Sequence, residues 1–449
     1  MHRRVICAVI ALVPARGHAD GIAIIGGSPR AIGRAGAATV GDDGGGALLV
    51  NPAAMARRAT TRVQLGVAVI EDDVSWLSDT RNAPRSSSQA GSSLAPLGAA
   101  IGAIGGWIVG AGVMTSGVLD RSLPRPGGVH GELDDELDYR YTGIAGSYRR
   151  DTLSLGAARR IGSSLALGLS LGASQVRVAE HRRIWAGLDG RDLVGDPAGD
   201  VDLELAATDE LTPSAVAGVL YAPEDAQIEL GASLGWAGIA RLDGKVSGTG
   251  TAAGPRLEYS GTRVAHLDVR QPITARAGGR YVGDRVVAEL DGDLWIARHG
   301  ADAAVWSLDG VRVVDPSQRA IDLRRLPSRI AQHTHVAVRT ALDVELMPGF
   351  LWATGGYAYA NLATPGDRLA PSFGDLGGHT LGLGLEATSG GATISLGWSR
   401  TWSLATRAPS VLRVDNPFGT GDGPVPSGRY DGSLDQVGVL VELELESNP

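Results

Sequence analysis

The sequence predicts an all-β transmembrane antiparallel barrel of about fourteen strands, with an N-terminal segment folded into its lumen. Three observations predict it. Glycine accounts for 65 of 449 residues, about twice ordinary usage, and each interior glycine costs a helix roughly 1 kcal/mol. Long segments alternate apolar and polar residues with a period of two, as strands with two unlike faces do. The links between those segments alternate between tight and long, which a soluble sandwich has no reason to arrange.

Residues 1–19 read as an export signal: Arg3 and Arg4, an apolar run over 5–13, then Gly17-His18-Ala19 with small residues where a signal peptidase inspects. A membrane anchor is the alternative, but this apolar run falls well short of the roughly 20 residues a spanning helix needs. The single cysteine, Cys7, lies in this segment, so the mature chain is expected to have no disulfide and no cysteine metal site. With Lys+Arg 41 against Asp+Glu 49, the charge balance disfavours nucleic acid as a partner.

The strands follow from residue 60 onward, and 60–449 is expected to be the barrel. In 227–242, Ile228, Leu230, Ala232, Leu234, Trp236, Ala240 and Leu242 share one register against Gln227, Glu229, Ser233 and the intervening glycines. Leucines 165, 167, 169 and 171 repeat the pattern, as do Ile394, Leu396 and Trp398 and, at the end of the chain, Val437, Val439, Val441, Leu443 and Leu445. Strands are expected at 61–76, 94–104, 106–118, 143–160, 164–180, 210–221, 226–246, 264–282, 284–302, 333–347, 349–361, 378–388, 391–402 and 433–446. Tight links such as Gly105, Gly283 and Pro348 lie on one side, and long polar links such as 181–209 and 403–432 on the other, the asymmetry of an outer-membrane barrel. A hydropathy window would make 94–119 a transmembrane helix, yet its central Gly105-Gly106 suits a hairpin better.

Polar registers must face the lumen, because a charge facing lipid at mid-depth costs about 2 to 4 kcal/mol. Glu289, Asp291 and Asp293 are therefore expected inside the barrel. Neighbouring strands would add His266, Asp268, Arg270 and Arg276 on one side and His333, His335, Arg339, Asp343 and Glu345 on the other. A structural charge ladder is favoured over a substrate site. The nine tryptophans mostly fall near strand ends or in loops, where an interfacial girdle would place some of them.

No motif supports a catalytic residue, a metal or a cofactor. Residues 22–33 imitate a phosphate-binding turn, but Ser28 and Ala31 stand where glycine is needed and no βαβ unit follows. His333 and His335 share a strand face without further ligands. Asp291-Gly292-Asp293 sits within a strand and lacks the rest of a calcium loop.

Residues 20–59 lack the period of two and precede the first strand, so in a barrel they most simply fold back into the lumen. Within them Gly33-Arg34-Ala35-Gly36, then Asp42-Asp43, then Asn51-Pro52-Ala53 resemble the spaced pattern of the FadL-type outer-membrane transporters of long-chain fatty acids and other hydrophobic compounds. The resemblance implies a Gram-negative outer-membrane barrel plugged by an N-terminal hatch over 20–59, with the motif residues in the hatch. It implies passive uptake of a hydrophobic small molecule and lateral release into membrane lipid through a kink in the third strand, where Gly110 and Gly112 would seat it. It also implies a monomer without cofactor or enzymatic activity. The rival functions are a general porin for hydrophilic solutes, which needs no plug, and an outer-membrane barrel enzyme.

Overall fold

The computed structural model describes residues 27–78, 85–88, 92–124, 138–187, 197–224, 226–250, 254–403, 406–407, 411–414, 417–418, 423–426 and 428–445. The expected export signal, 1–19, and residues 20–26 lie outside them. The principal strands are β1 Thr61–Ser78, β2 Ser93–Ile104, β3 Trp107–Ser122, β4 Ala145–Ile161, β5 Leu165–Trp185, β6 Asp200–Tyr221, β7 Ile228–Ala237, β8 Ile239–Gly250 and β9 Arg256–Arg270. They continue as β10 Ile273–Val282, β11 Val286–Ile296, β12 Val305–Val314, β13 His335–Met347, β14 Leu351–Ala360, β15 Gly378–Ser389, β16 Ala392–Trp402 and β17 Gly428–Leu445.

Fourteen of these strands close an antiparallel barrel. Neighbours follow chain order from β1 to β7; β7 pairs with β10, β11 with β13, and β17 returns to β1 with Thr61 opposite Leu445. Closure leaves no unpaired sheet edge, the condition for a β-structure in lipid. The apolar register faces outward, where Leu167, Leu169 and Leu171 are exposed. The 94–119 segment is a hairpin turning at Gly105-Gly106, whose φ values of +55° and +81° suit the tight turn between twisted strands.

The other three strands build a cap at the long-link end. There β8 pairs with the first half of β6, β9 with β8, and β12 with β9. The expected strands 226–246 and 264–282 are thus each divided between wall and cap, and the division inverts their faces. In β7, Ile228, Leu230, Leu234 and Trp236 point to the membrane, whereas Ala240 and Leu242 of β8 are 0% exposed inside the cap. The inversion falls at Gly238, whose N–H donates to the Pro213 carbonyl at 2.7 Å.

The same division corrects the expected lumen. His266, Asp268 and Arg270 lie on β9, in the cap, where Ala265, Leu267 and Val269 turn inward instead. His266 faces outward between Asp243 and Asp268, at 2.8 and 3.2 Å. Among the tryptophans, Trp76, Trp185 and Trp306 are fully buried, while Trp107, Trp236 and Trp402 face outward as an interfacial girdle would.

Candidate functional site

From Gly27 onward the N-terminal segment lies inside the barrel. It contains one short helix, α1 (Pro29–Gly33), and two 3-10 turns, Gly45–Leu48 and Pro52–Arg57. So little secondary structure leaves many backbone groups without internal partners, and buried ones must find partners elsewhere. The wall supplies them.

Glu289 on β11 accepts from the N–H groups of Val40 and Gly41 at 2.8 and 3.0 Å, and Asp291 accepts from Ala38 and Thr39 at 2.8 and 2.9 Å. Arg339 on β13 bridges Asp293, at 2.8 Å, and the Ala35 carbonyl, at 3.1 Å. Arg276 on β10 donates to the Leu49 carbonyl at 3.2 Å. Of the expected ladder, Arg276, Glu289, Asp291 and Arg339 therefore grip the hatch backbone, while Asp293 pairs with Arg339 across the wall and Asp343 meets the Arg34 side chain. Glu345 sits at the tight-turn end and accepts from the Gly349 N–H at 2.6 Å. His335 stacks on Trp295 with ring centroids 4.7 Å apart, and His333 precedes β13. Among the described residues, no group of three or more His, Cys, Asp or Glu could hold a metal.

Each hatch motif has a physical task. Arg34, 3% exposed, reaches from the end of α1 to Asp343 at 2.8 Å and to Glu289, while its Nε donates to the Ala37 carbonyl. Gly33 crosses so close to β15 that a Cβ would lie 2.9 Å from the Gly384 Cα, and Gly36 takes φ +87°, which favours glycine. Asp42 accepts from the Ser28 hydroxyl at 2.8 Å. Burial pushes the Asp43 carboxyl up, but Arg58, Arg62 and Arg30 outweigh it and hold the group well below the ordinary carboxylate range. Asn51, fully buried, donates to the Thr39 carbonyl at 2.8 Å and caps the turn that begins at Pro52 and Ala53. Further ties join Arg58 to Glu442 and Arg30 to Glu386, at 2.8 and 2.9 Å, and Arg57 to Glu229.

Above the hatch lies a cavity of about 190 Å³, floored by Thr39, Leu49 and Val50. Tyr148, Trp295 and Arg150 line it. Arg150 donates to the Ser174 hydroxyl at 3.0 Å, and among the described residues it has no carboxylate partner. On one side the cavity reaches Ser116 and Gly117 of β3. There Ser116 is a bulge against β4, and the β2–β3 ladder stops at Leu97–Met114 although β2 runs on, paired with β1, to Ser93. The expected kink glycines lie elsewhere. Gly110 and Gly112 are in regular register with Ile101 and Ala99, and a Cβ on Gly110 would meet Met55 of the hatch at 2.9 Å.

Sequence reasoning missed Ser116 and Arg150. A signal for the first interruption was present in Pro96, a residue without an N–H inside an expected strand. Nothing in the local pattern distinguishes Arg150 from the other arginines.

A closed barrel with a polar lumen, filled by a bonded N-terminal hatch below a cavity, defines an outer-membrane channel of the plugged kind. The sequence matches the family described as outer membrane protein transport protein (OMPP1/FadL/TodX) over residues 10–283, and the chain belongs to that family. It is an outer-membrane protein of a Gram-negative bacterium. No curated protein matches the chain by sequence. Among solved structures, a Pseudomonas aeruginosa FadL homologue is similar over 95% of this chain and 100% of its own, with 14% identity and a TM-score of 0.74. The Pseudomonas putida toluene transporter TodX matches over 95% and 100%, with 16% identity and a TM-score of 0.67. The Ralstonia pickettii toluene transporter TbuX matches over 94% and 99%, with 15% identity and a TM-score of 0.63. These likenesses are of fold.

Proposed function

We propose that the protein is a passive channel for lipophilic compounds, which enter from the cell surface, lodge above the hatch and leave sideways into the membrane between β2 and β3. The observation that carries this reading is the coincidence of cavity and wall defect. The cavity is closed below by the bonded hatch and reaches Ser116 and Gly117, where the wall ladder is interrupted. A lipophilic solute gains about 0.8 kcal/mol per buried CH₂, so a route from cavity to lipid avoids returning it to water. TodX and TbuX, both toluene transporters, support a lipophilic cargo.

Size and charge refine the cargo. A cavity of about 190 Å³ takes one aromatic ring, since roughly 150 Å³ suffices for benzene. A fatty chain would have to pass most of its length through the gap. The Arg150 guanidinium, which has no carboxylate partner among the described residues, favours an acidic head group, as a long-chain carboxylate has, because a buried cation is stabilised by an anion beside it. A neutral ring is the second reading, favoured by the cavity volume.

Uptake by cells carrying Arg150→Met separates these. Loss of carboxylate uptake with toluene uptake kept supports the acidic cargo; loss of neither, in a folded variant, assigns the cavity to neutral compounds. Failure of the wild-type channel to speed uptake of either would refute the proposed transport.

A further inference from the structure

We propose that the wall holds a second side window, between β7 and β10, which Arg298 latches shut over the same cavity. This rests on the reading that a lipophilic solute occupies the cavity.

The ladder between β7 and β10 pairs Gly235 with Thr274, and pairing resumes only where Ile239 of β8 meets Arg270 of β9. The intervening positions include Pro272, which has no N–H to give. The other edge of β10 is interrupted at the same height. Its pairing with β11 ends at Ile273–Ile296, and the next pair, Leu267–Trp306, already belongs to the cap. The link 297–304 turns inward there, burying Ala301 and Ala304. Gln271 and Pro272, just before β10, therefore have no ladder pair on either side.

The cavity reaches this place. Trp236, Ala237, Gln271 and Pro272 line it, yet Trp236 also points to the membrane and is 45% exposed there. One residue thus separates cavity from lipid. The outer surface nearby carries the exposed Leu211 and Ile296, so a solute passing here meets hydrocarbon. Five barrel strands, β3 to β7, separate this window from the gap between β2 and β3.

Arg298 spans the interruption. It follows β11, and its Nη1 donates to the Ala237 carbonyl at the end of β7, 2.9 Å away across the start of β10. A half-buried cation bonded to a carbonyl beside lipid is a reversible closure. The guanidinium can turn outward to the polar head-group level and leave Pro272 and Trp236 free to part.

A long-chain carboxylate bearing an alkyl diazirine tests the window on the full-length protein in vesicles. After photolysis, adducts are mapped on Trp236 and on the cavity residues Tyr148 and Trp295, each relative to the lipid-facing Leu396, which corrects for probe dissolved in the bilayer. Loss of one charge-assisted hydrogen bond should raise the Trp236 ratio about tenfold in Arg298→Ala. Arg298→Gln, which keeps a donor for the Ala237 carbonyl, should stay near wild type. Cavity labelling with an unchanged Trp236 ratio in folded Arg298→Ala would overturn the window and leave the transport reading standing. Absence of cavity labelling would overturn the occupancy on which both depend. If Arg298→Ala fails to fold, Arg298→Met gives the same comparison with the side-chain volume largely kept.

Discussion

Arg34→Ala should loosen the hatch without unfolding the barrel. The guanidinium is 3% exposed and holds Glu289, Asp343 and the Ala37 carbonyl at once. Its removal leaves two buried carboxylates facing each other without their shared cation, and breaking a buried pair from one side costs about 3 to 5 kcal/mol. That corresponds to roughly a hundredfold to a few thousandfold in the ratio of docked to undocked hatch. The barrel strands lose no ladder bond, so the variant should still fold, as a heat-modifiable shift in gel electrophoresis would show. In planar bilayers the variant should show conductance openings that much more often than wild type. Most of the penalty belongs to the stranded charges, so adding Glu289→Gln and Asp343→Asn should restore much of the closure. Opening frequencies equal to wild type in a folded Arg34→Ala protein would refute the claim that this residue latches the hatch, and no recovery in the triple variant would refute the charge argument.

Deleting residues 20–59 should raise bilayer conductance while the barrel still folds; unchanged conductance would count against a plug. Gly356→Ala should destabilise the closed state by about 1 to 3 kcal/mol through overpacking, since a Cβ there lies 2.2 Å from the Arg34 carbonyl carbon, whereas Gly355→Ala, with nothing within 4 Å, should be neutral; thermal melting in detergent separates the two. Gly110→Val should disturb the hatch at Met55 more than the exit, visible as conductance openings with solute uptake kept. Asp43 has a lowered folded pKa, so its contribution is present above the unfolded value of about 4 and is lost only as pH falls through the folded one. Wild-type closure should therefore persist from neutral pH down to about 4, and openings that begin near pH 6 would contradict this assignment.

The wall strands and their lipid face were legible because period-two alternation is written residue by residue. The cap was not, because alternation does not say which solvent a face meets. Leu234 and Leu242 lie in one register of the sequence, yet one meets lipid and the other a protein core. The inversion between them is carried by a single glycine and a proline on each neighbour, Pro213 and Pro272. Prolines inside expected strands are local signs of such breaks, and Pro96 likewise lies beside the place where the β2–β3 ladder stops. Placing His266, Asp268 and Arg270 in the lumen failed for that reason. The cost of charge in lipid pointed Arg276, Glu289, Asp291, Asp293, Arg339 and Asp343 inward, but it could not name their hatch partners, which lie 227 to 309 residues away in sequence.

The abundance of glycine acquires a second cause from the hatch. A Cβ on Gly168 would lie 2.3 Å from the Ala53 nitrogen, and one on Gly218 would meet Asn51 at 2.0 Å. On the opposite wall, Gly382 would press on the Ala35 nitrogen at 2.7 Å and Gly438 on Pro29 at 2.8 Å. Glycine here leaves room for a second backbone against the inner face of the sheet. Bare patches of wall receive the hatch chain, and the carboxylates of β11 between them receive its N–H groups. A general porin has no use for this pairing, since inward glycines without a plug would leave a strand short of packing on the side where side chains set selectivity. The inner register of the wall is therefore written for the hatch, which is why residues that look like an open, charged lumen in the sequence belong to a closed one in the fold.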